Sequence, residues 1–129
     1  MRKEKFDLTG KWAFVTGSAR GIGRAIAAGL AEFGAKVAVH GTKPSQPLDE
    51  SLAEARKWSP DSFAVTGDLS SAGAVADLFA QMRERGVEPD IVDCHASTQE
   101  NVPWHEIPLA ELQEQMQVKF NAPFQIFQM

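Results

Sequence analysis

The sequence contains no tyrosine, a single cysteine and no long apolar run. The absence of tyrosine removes any phenolic acid–base group. One cysteine, Cys94, excludes an internal disulfide and a cysteine-rich metal site, so a reducing compartment is expected. The charged amino terminus leads into no apolar signal segment, and no stretch has the roughly 20 apolar residues that a membrane span needs. We therefore expect a cytoplasmic protein with no membrane partner.

Positive charge is also scarce. The net charge is −4, and the 13 basic residues are scattered along the chain. Because phosphate backbones are bound by clustered Lys and Arg, a nucleic-acid partner is not expected. His40, His95 and His105 show no metal-ligand spacing with acidic residues and form no Ser-His-Asp pattern, so neither a metal site nor a catalytic residue is predicted.

Short apolar runs alternate with amphipathic stretches, which is typical of βαβ units on a parallel sheet. The predicted fold is α/β, a Rossmann-like doubly wound parallel sheet of about four strands and four helices. One domain over 1–129 is expected, and we expect it to be incomplete because the chain ends within a predicted helix. The predicted strands are 12–16, 36–40, 62–66 and 90–94. The predicted helices run from about 21 to 33, from 48 to 58, from a cap at Ser70 or Ser71 to Gly86, and from about Leu109.

The last predicted helix carries a stripe of large apolar residues. Pro123 removes the hydrogen bond to the Lys119 carbonyl and should bend or interrupt the helix. The stripe suits a contact between copies of the chain, and therefore a homo-oligomer, or packing against the sheet. Its members are Leu112, Met116, Phe120 and Phe127.

A glycine-rich turn over 16–23, Thr16-Gly17-Ser18-Ala19-Arg20-Gly21-Ile22-Gly23, joins the first strand to the first helix. Gly17 allows a tight turn, Gly21 leaves room for a diphosphate to approach the backbone, and Gly23 lets the helix and the strand pack closely. The start of the helix offers free N–H groups and partial positive charge to an anion. The alternative is a plain strand–helix turn without a ligand.

Three segments together resemble the classical short-chain dehydrogenases/reductases. Residues 8–17 are similar to that family's opening into the cofactor loop, residues 67–70 to the end of its third strand, and residues 118–124 to the start of its long fifth helix. The resemblance covers essentially the whole chain in order. It implies that Asp68 binds the adenine amino group. The cofactor contacts implied for this sequence are Gly17, Ser18, Arg20, Gly21, Ile22, Gly23, Thr42, Asp68, Leu69 and Ala96.

The end of the second strand, residues 39–43, contains no acidic residue. NAD-dependent dehydrogenases place an Asp or Glu there for the ribose hydroxyls, and that carboxylate would repel a 2′-phosphate. Arg20 in the turn, with Thr42 and Lys43, could bind such a phosphate. NADP(H) is therefore predicted over NAD(H), although Arg20 and Lys43 could also be solvated loop charges.

The sequence departs from the family after the fourth strand. Members carry Asn-Asn-Ala-Gly where this chain has Cys94-His95-Ala96-Ser97, and only Ala96 matches. His95 could be catalytic or simply hydrogen-bonded in place. Asp93 lies in an otherwise apolar predicted strand, where burial without a partner would be costly, so it needs a partner or a raised pKa.

A second departure concerns the proton relay of the family. Its helical asparagine falls at Lys119, and Asn121 lies about 200° away around the helix. The family's Ser and Tyr-x-x-x-Lys are expected beyond Met129, so the chain alone is predicted to be inactive. The hypotheses left are an NADP-dependent oxidoreductase of carbonyls or alcohols (resembling the oxoacyl-carrier-protein reductases), a catalytically silent dinucleotide-binding module, and a fragment that binds nothing well. An S-adenosylmethionine enzyme is disfavoured because the acid after the second strand is missing.

Overall fold

A computed structural model describes residues 3–97 and 103–129. Its strands are β1 (Trp12–Thr16), β2 (Lys36–Gly41), β3 (Phe63–Thr66) and β4 (Ile91–Cys94). Its helices are α1 (Gly21–Glu32), α2 (Gln46–Arg56), α3 (Ala74–Glu84), α4 (Leu109–Met116) and α5 (Ala122–Gln128), with a π-helical segment, Gln117–Asn121, between the last two. Single 3-10 turns lie at Lys3–Phe6 and Trp104–Glu106. In these two described ranges, no helix has the length and hydropathy to cross a bilayer.

The four strands form one sheet in the order β3-β2-β1-β4, and every pair is parallel. Alternate residues of β1 serve two cores: Ala13 and Val15 pack with α1 and α2, and Phe14 packs with α3 and α5. Because both faces of the sheet are covered at its centre, β1 and β2 are apolar runs and not alternating ones. The predicted Rossmann-like fold is confirmed.

The strand ends differ from the prediction by one residue at most, but two helices begin elsewhere. α2 starts at Gln46, two residues before the predicted start, because the Ser45 hydroxyl accepts a hydrogen bond from the Leu48 amide at 3.3 Å. Pro47 is tolerated in that first turn, where its missing N–H needs no partner. α3 begins after Gly73, so the predicted serine cap is wrong. The Ser70 hydroxyl instead donates to Asp68 Oδ1 at 2.7 Å.

The predicted interruption at Pro123 is confirmed. The π-helical segment ends directly before α5, whose first turn contains this proline. Val118, Ala122 and Ile126 turn into the core of the sheet. The predicted stripe does not: its four residues are between 48% and 68% exposed. Packing of the stripe against the sheet is therefore wrong, and a homo-oligomer through this surface stays a prediction.

Candidate functional site

A cleft of about 590 Å³ opens at the carboxyl ends of the strands. It lies beside β1 and β4, where the direction of strand addition reverses, and open α/β sheets bind ligands in that position. Its volume is in the range of small-molecule sites, roughly 300–1,000 Å³. The walls come from the segments that follow all four strands and from the π-helical segment. The lining residues are Gly17, Ala19, Arg20, Ile22, Gly23, His40, Gly41, Thr42, Lys43, Ser45, Asp68, Leu69, His95, Ala96, Ser97 and Val118.

The glycine-rich turn depends on two backbone positions that admit no side chain. Gly17 has a φ of 63°, and a Cβ there would lie 2.7 Å from the Ala96 backbone. A Cβ on Gly23 would overlap the Gly17 carbonyl oxygen. These contacts give Gly17 the tight turn and Gly23 the close helix–strand packing that the sequence predicts.

The amino-terminal end of α1 is open toward the cleft. Arg20, the residue before the helix, has extended backbone angles, and its side chain makes no capping hydrogen bond. The first turn contains no acidic residue, and Gly21 has open space where a side chain would be. Uncapped amides and the helix dipole therefore leave a place for an anion at this end.

A buried hydrogen-bond network supports the turn from below. The Ser18 hydroxyl donates to the Val15 carbonyl at 2.8 Å and accepts from the His40 amide at 2.8 Å. The Ser51 hydroxyl of α2 donates to the Ser18 carbonyl at 2.6 Å. The His40 ring lies between the Gly17 amide, 2.9 Å from Nδ1, and the Gly67 carbonyl, 2.8 Å from Nε2.

The structure places Ser18 differently from the prediction of a direct cofactor contact. Its residue surface is fully buried, and it is not among the residues that line the cleft. Both hydrogen-bonding capacities of its hydroxyl are used inside the protein. Ser18 is therefore a support of the turn and not a part of its exposed wall.

Asp68, which follows β3, is an exposed acid in the lining of the cleft. Its Oδ1 accepts hydrogen bonds from the Ser70 hydroxyl, at 2.7 Å, and from the Ser70 amide, at 2.9 Å. These bonds lower the pKa of the Asp68 carboxyl below its ordinary value. The group is ionised at neutral pH and can accept further hydrogen bonds. Leu69 beside it is buried and supplies apolar wall.

Two positively charged residues line the cleft, Lys43 after β2 and Arg20 in the turn after β1. Arg20, Thr42 and Lys43 are exposed and line it. Asp68 is the single acidic residue in the lining, and it follows β3 instead of β2. The arrangement suits an additional phosphate near β2 better than a ribose diol that needs a carboxylate.

At the end of β4, Asp93 has His95 as its partner. His95 Nε2 lies 3.2 Å from Asp93 Oδ1, and each side chain is 34% exposed. Asp93 therefore has a partner, as predicted for an acid in an apolar strand, and it is only partly buried because β4 is an edge strand of the described sheet. The backbone amides of His95 and Ala96 both donate to Thr16 Oγ1, at 3.0 and 3.1 Å, and so fix this segment to β1. Burial raises the pKa of the neighbouring Cys94 thiol, which is therefore uncharged at neutral pH.

Eight of the ten predicted cofactor residues line this one cleft, although they come from four separate segments. Gly21 lies at the start of α1 but is not among the lining residues, and Ser18 lies below. Sequence reasoning missed His40, whose signal was a polar side chain at the end of an apolar strand. It also missed Ser51, which shares the buried face of α2 with Leu48 and Ala55.

The π-helical segment contributes Val118 to the cleft. Lys119, at the family's asparagine position, donates instead to Gln115 Oε1 at 3.3 Å, and Asn121 donates to Gln117 Oε1 at 3.1 Å. Both side chains are exposed. Over 3–97 and 103–129, no three His, Cys, Asp or Glu side chains come together as metal ligands.

Comparisons with known proteins agree on one family. A family model described as short chain dehydrogenase matches residues 11–129. The hydroxynaphthalene reductase-like protein Arp2 of Metarhizium robertsii is 32% identical over 122 residues, which is 95% of this chain and 46% of that protein.

Solved structures give the same result. The 3-oxoacyl (acyl-carrier-protein) reductase of Agrobacterium tumefaciens with NADP bound is 36% identical, with a TM-score of 0.87 over 99% of this chain and 49% of that one. The RhlG/NADP active-site complex of Pseudomonas aeruginosa is 29% identical, with a TM-score of 0.86 over 99% of this chain and 49% of that one. The chain therefore spans about half the length of these relatives.

Proposed function

Because the chain belongs to the short-chain dehydrogenase family, we propose that its cleft binds NADP(H) and that it is the nucleotide-binding part of an oxidoreductase that interconverts carbonyl and alcohol groups. The observation that carries the proposal is the uncapped start of α1 at the floor of the cleft. The free amides and the partial positive charge of this helix end face the cleft. The first turn of α1 contains no acidic side chain.

The rest of the cleft supports a dinucleotide over a smaller anion. The diphosphate would lie against the amides at the start of α1, where Gly21 has open space in place of a side chain. The ionised Asp68 carboxylate would accept from the adenine amino group, with Leu69 against the ring. One continuous cleft contains both the glycine-rich turn and the pair Asp68 and Leu69.

NADP(H) is proposed over NAD(H) on the charges beside β2. Arg20 and Lys43 are both exposed there, and no carboxylate follows β2 to bind the ribose diol. A guanidinium can bind the 2′-phosphate through two parallel hydrogen bonds. Two of the similar structures contain NADP, which supports the same choice.

Replacing Arg20 by alanine should separate the two cofactors. We expect the NADPH Kd to rise about 10-fold, because a charge-assisted contact at an exposed site is lost, and the NADH Kd to change by less than about twofold. Titration of cofactor fluorescence measures both constants. Arg83→Ala on α3 removes the same charge away from the cleft lining and should change neither. Equal weakening of NADPH and NADH by Arg20→Ala would contradict the assignment of the 2′-phosphate site.

The proposed reaction is the reduction of a carbonyl by NADPH or its reverse. The family resemblance assigns its proton transfer to a Ser and a Tyr-x-x-x-Lys, and this sequence contains no tyrosine. In the parts of the chain that the structure describes, Lys119 occupies the relay asparagine's position but interacts with Gln115. The residues present can hold and orient the cofactor. We propose that they do not complete the reaction.

The 129-residue chain should therefore bind NADPH without oxidising it. Saturating NADPH with a panel of ketones and 3-oxoacyl thioesters should give no loss of reduced-nicotinamide absorbance above the enzyme-free rate. A relative of full family length, assayed beside it, serves as the positive control. Turnover by the 129-residue chain would show that its own residues supply the proton. The proposal that they hold the cofactor without completing the reaction would then be wrong.

A catalytically silent dinucleotide-binding module is the second candidate. The observation that favours it is the replacement of the family's Asn-Asn-Ala-Gly by residues 94–97, of which Ser97 and His95 line the cleft. This candidate also binds NADP(H), and it differs from the oxidoreductase proposal only in that no turnover follows. NADPH that fails to saturate the chain at millimolar concentration would remove both candidates.

A further inference from the structure

His40 lies at the floor of the cleft and is 2% exposed. We propose that His40 is a positioning residue, which as a neutral imidazole protonated on Nε2 holds the Gly17 amide and the Gly67 carbonyl at fixed separation and thereby shapes the dinucleotide site. This inference rests on the proposed function and deepens it. It concerns a side chain beneath the ligand, at a position that the predicted cofactor contacts did not include.

The two hydrogen bonds of the ring define a single tautomer. The Gly17 amide can only donate, so Nδ1, at 2.9 Å, must be unprotonated. The Gly67 carbonyl can only accept, so Nε2, at 2.8 Å, must carry the proton. An imidazolium cannot make the first bond, and the other neutral tautomer can make neither. The observed contacts therefore need one of the three forms of the side chain.

The two partners lie in the segments that follow two different strands, β1 and β3. Gly17 opens the glycine-rich turn, and Gly67 immediately precedes Asp68, the acid proposed for the adenine. The backbone of the same histidine completes the connection, because the Ser18 amide donates to the His40 carbonyl at 3.0 Å. One residue of β2 thus joins the diphosphate end of the site to its adenine end.

The same contacts decide which amides remain for the ligand. The N–H groups of Gly17 and Ser18 both point down to His40 and are already used. The diphosphate must consequently be bound by amides later in the turn, at the start of α1. His40 itself is only 2% exposed and acts from beneath the ligand. It acts by keeping the first two amides of the turn inward and the later ones outward.

Protonation of the His40 ring should break its hydrogen bond with the Gly17 amide. Burial lowers the pKa of His40, which keeps the ring neutral, although the nearby Asp68 carboxylate opposes that effect. Phe14 of β1 faces the ring edge-on and carries no charge, and Arg20, Lys43 and His95 line the cleft above. The folded pKa lies below the ordinary value of 6.5. Folded-state stability and the bound shape are therefore complete above pH 6.5 and are lost as the pH falls through the folded pKa.

The test compares His40→Phe and His40→Gln with the unmodified chain, with His105→Gln as the matched control at an exposed histidine outside the cleft. Calorimetric titration with NADP⁺ well below each melting temperature gives Kd for folded protein. We expect His40→Phe to weaken binding about 10-fold or more, because two buried partners lose their bonds. His40→Gln, which offers one acceptor and one donor, should recover part of the loss. His105→Gln should bind as the unmodified chain does.

A pH series supplies the readout that a merely structural role would not change. The cofactor's own phosphate also titrates near pH 6, so the informative quantity is the Kd of the unmodified chain relative to His40→Gln. That ratio should rise as the pH is lowered below 6.5. Ring ¹⁵N spectra at neutral pH should show an unprotonated Nδ1 and a protonated Nε2, even if His40→Phe does not fold.

The outcomes separate the two proposals. An unmodified chain that binds no NADP⁺ overturns the proposed function, and the positioning role with it. An unmodified chain that binds, together with folded His40 variants of equal affinity, overturns the positioning role alone. Ring spectra that show a protonated Nδ1 at neutral pH also overturn it.

Discussion

Replacing Gly23 by alanine should remove measurable dinucleotide binding and destabilise the fold by about 1–3 kcal/mol, the usual cost of overpacking a closed site. The added Cβ would overlap the Gly17 carbonyl oxygen and lie close to the Ser18 Cα. Both are backbone atoms, so no side-chain rotation can make room. The turn must move away from α1, and the amides proposed for the diphosphate move with it.

Gly29→Ala is the matched control for this substitution. It lies in the same helix, and a Cβ there meets nothing within 4 Å. Alanine in a helix interior should stabilise the protein by about 0.5–1 kcal/mol and leave the NADPH Kd unchanged. Urea unfolding and fluorescence titration measure the two effects for both variants. Gly23→Ala with normal affinity would mean that the helix and the turn do not pack as closely as the contact indicates.

The strands and the glycine-rich turn were predictable because their signals are local. A parallel strand covered on both faces is a continuous apolar run, and Lys36–Gly41 and Trp12–Thr16 are such runs. The starts of α2 and α3 were harder to predict, since each depends on whether a nearby serine hydroxyl caps the helix or bonds elsewhere. Ser45 caps its helix, whereas Ser70 bonds to Asp68 and leaves α3 to start at Ala74.

The candidate site was predictable where motif and position coincide, and not where two distant residues must meet. Arg20, Thr42, Asp68 and Ala96 each follow the carboxyl end of a strand, and that rule alone collects them in one cleft. The bonds of His40 to Gly17 and Gly67 span 23 and 27 residues, and nothing local indicates the pairing.

Exposure in the last helical region was also beyond sequence reasoning. Two apolar sets occur there, and helical spacing suits both. The structure buries the smaller residues, Val118, Ala122 and Ile126, and exposes the larger stripe that includes Phe120 and Phe127. A π-helical segment, Gln117–Asn121, lies in this region, and regular helical spacing in the sequence does not predict it.

The largest effect on stability is expected from Phe14→Ala. Phe14 is fully buried in β1, which lies between β2 and β4 in the sheet. Its ring meets Phe79 of α3 edge-to-face, with centroids 6.0 Å apart. Truncation of a buried phenylalanine costs about 3–5 kcal/mol through lost burial and the cavity left behind. A domain stabilised by only about 5–15 kcal/mol would lose much of its folded population at elevated temperature.

Phe127→Ala removes the same atoms from a side chain that is 68% exposed and should change the free energy of unfolding by no more than about 0.5 kcal/mol. Urea unfolding monitored by circular dichroism gives both values. Because the Phe14 ring also lies edge-on to His40, with centroids 6.4 Å apart, folded Phe14→Ala should bind NADPH more weakly as well, since the imidazole loses its apolar neighbour. If Phe14→Ala lowers the free energy of unfolding by no more than Phe127→Ala does, α3 does not cover this face of the sheet. The inference that Phe14 supports the cleft through His40 would then also be wrong.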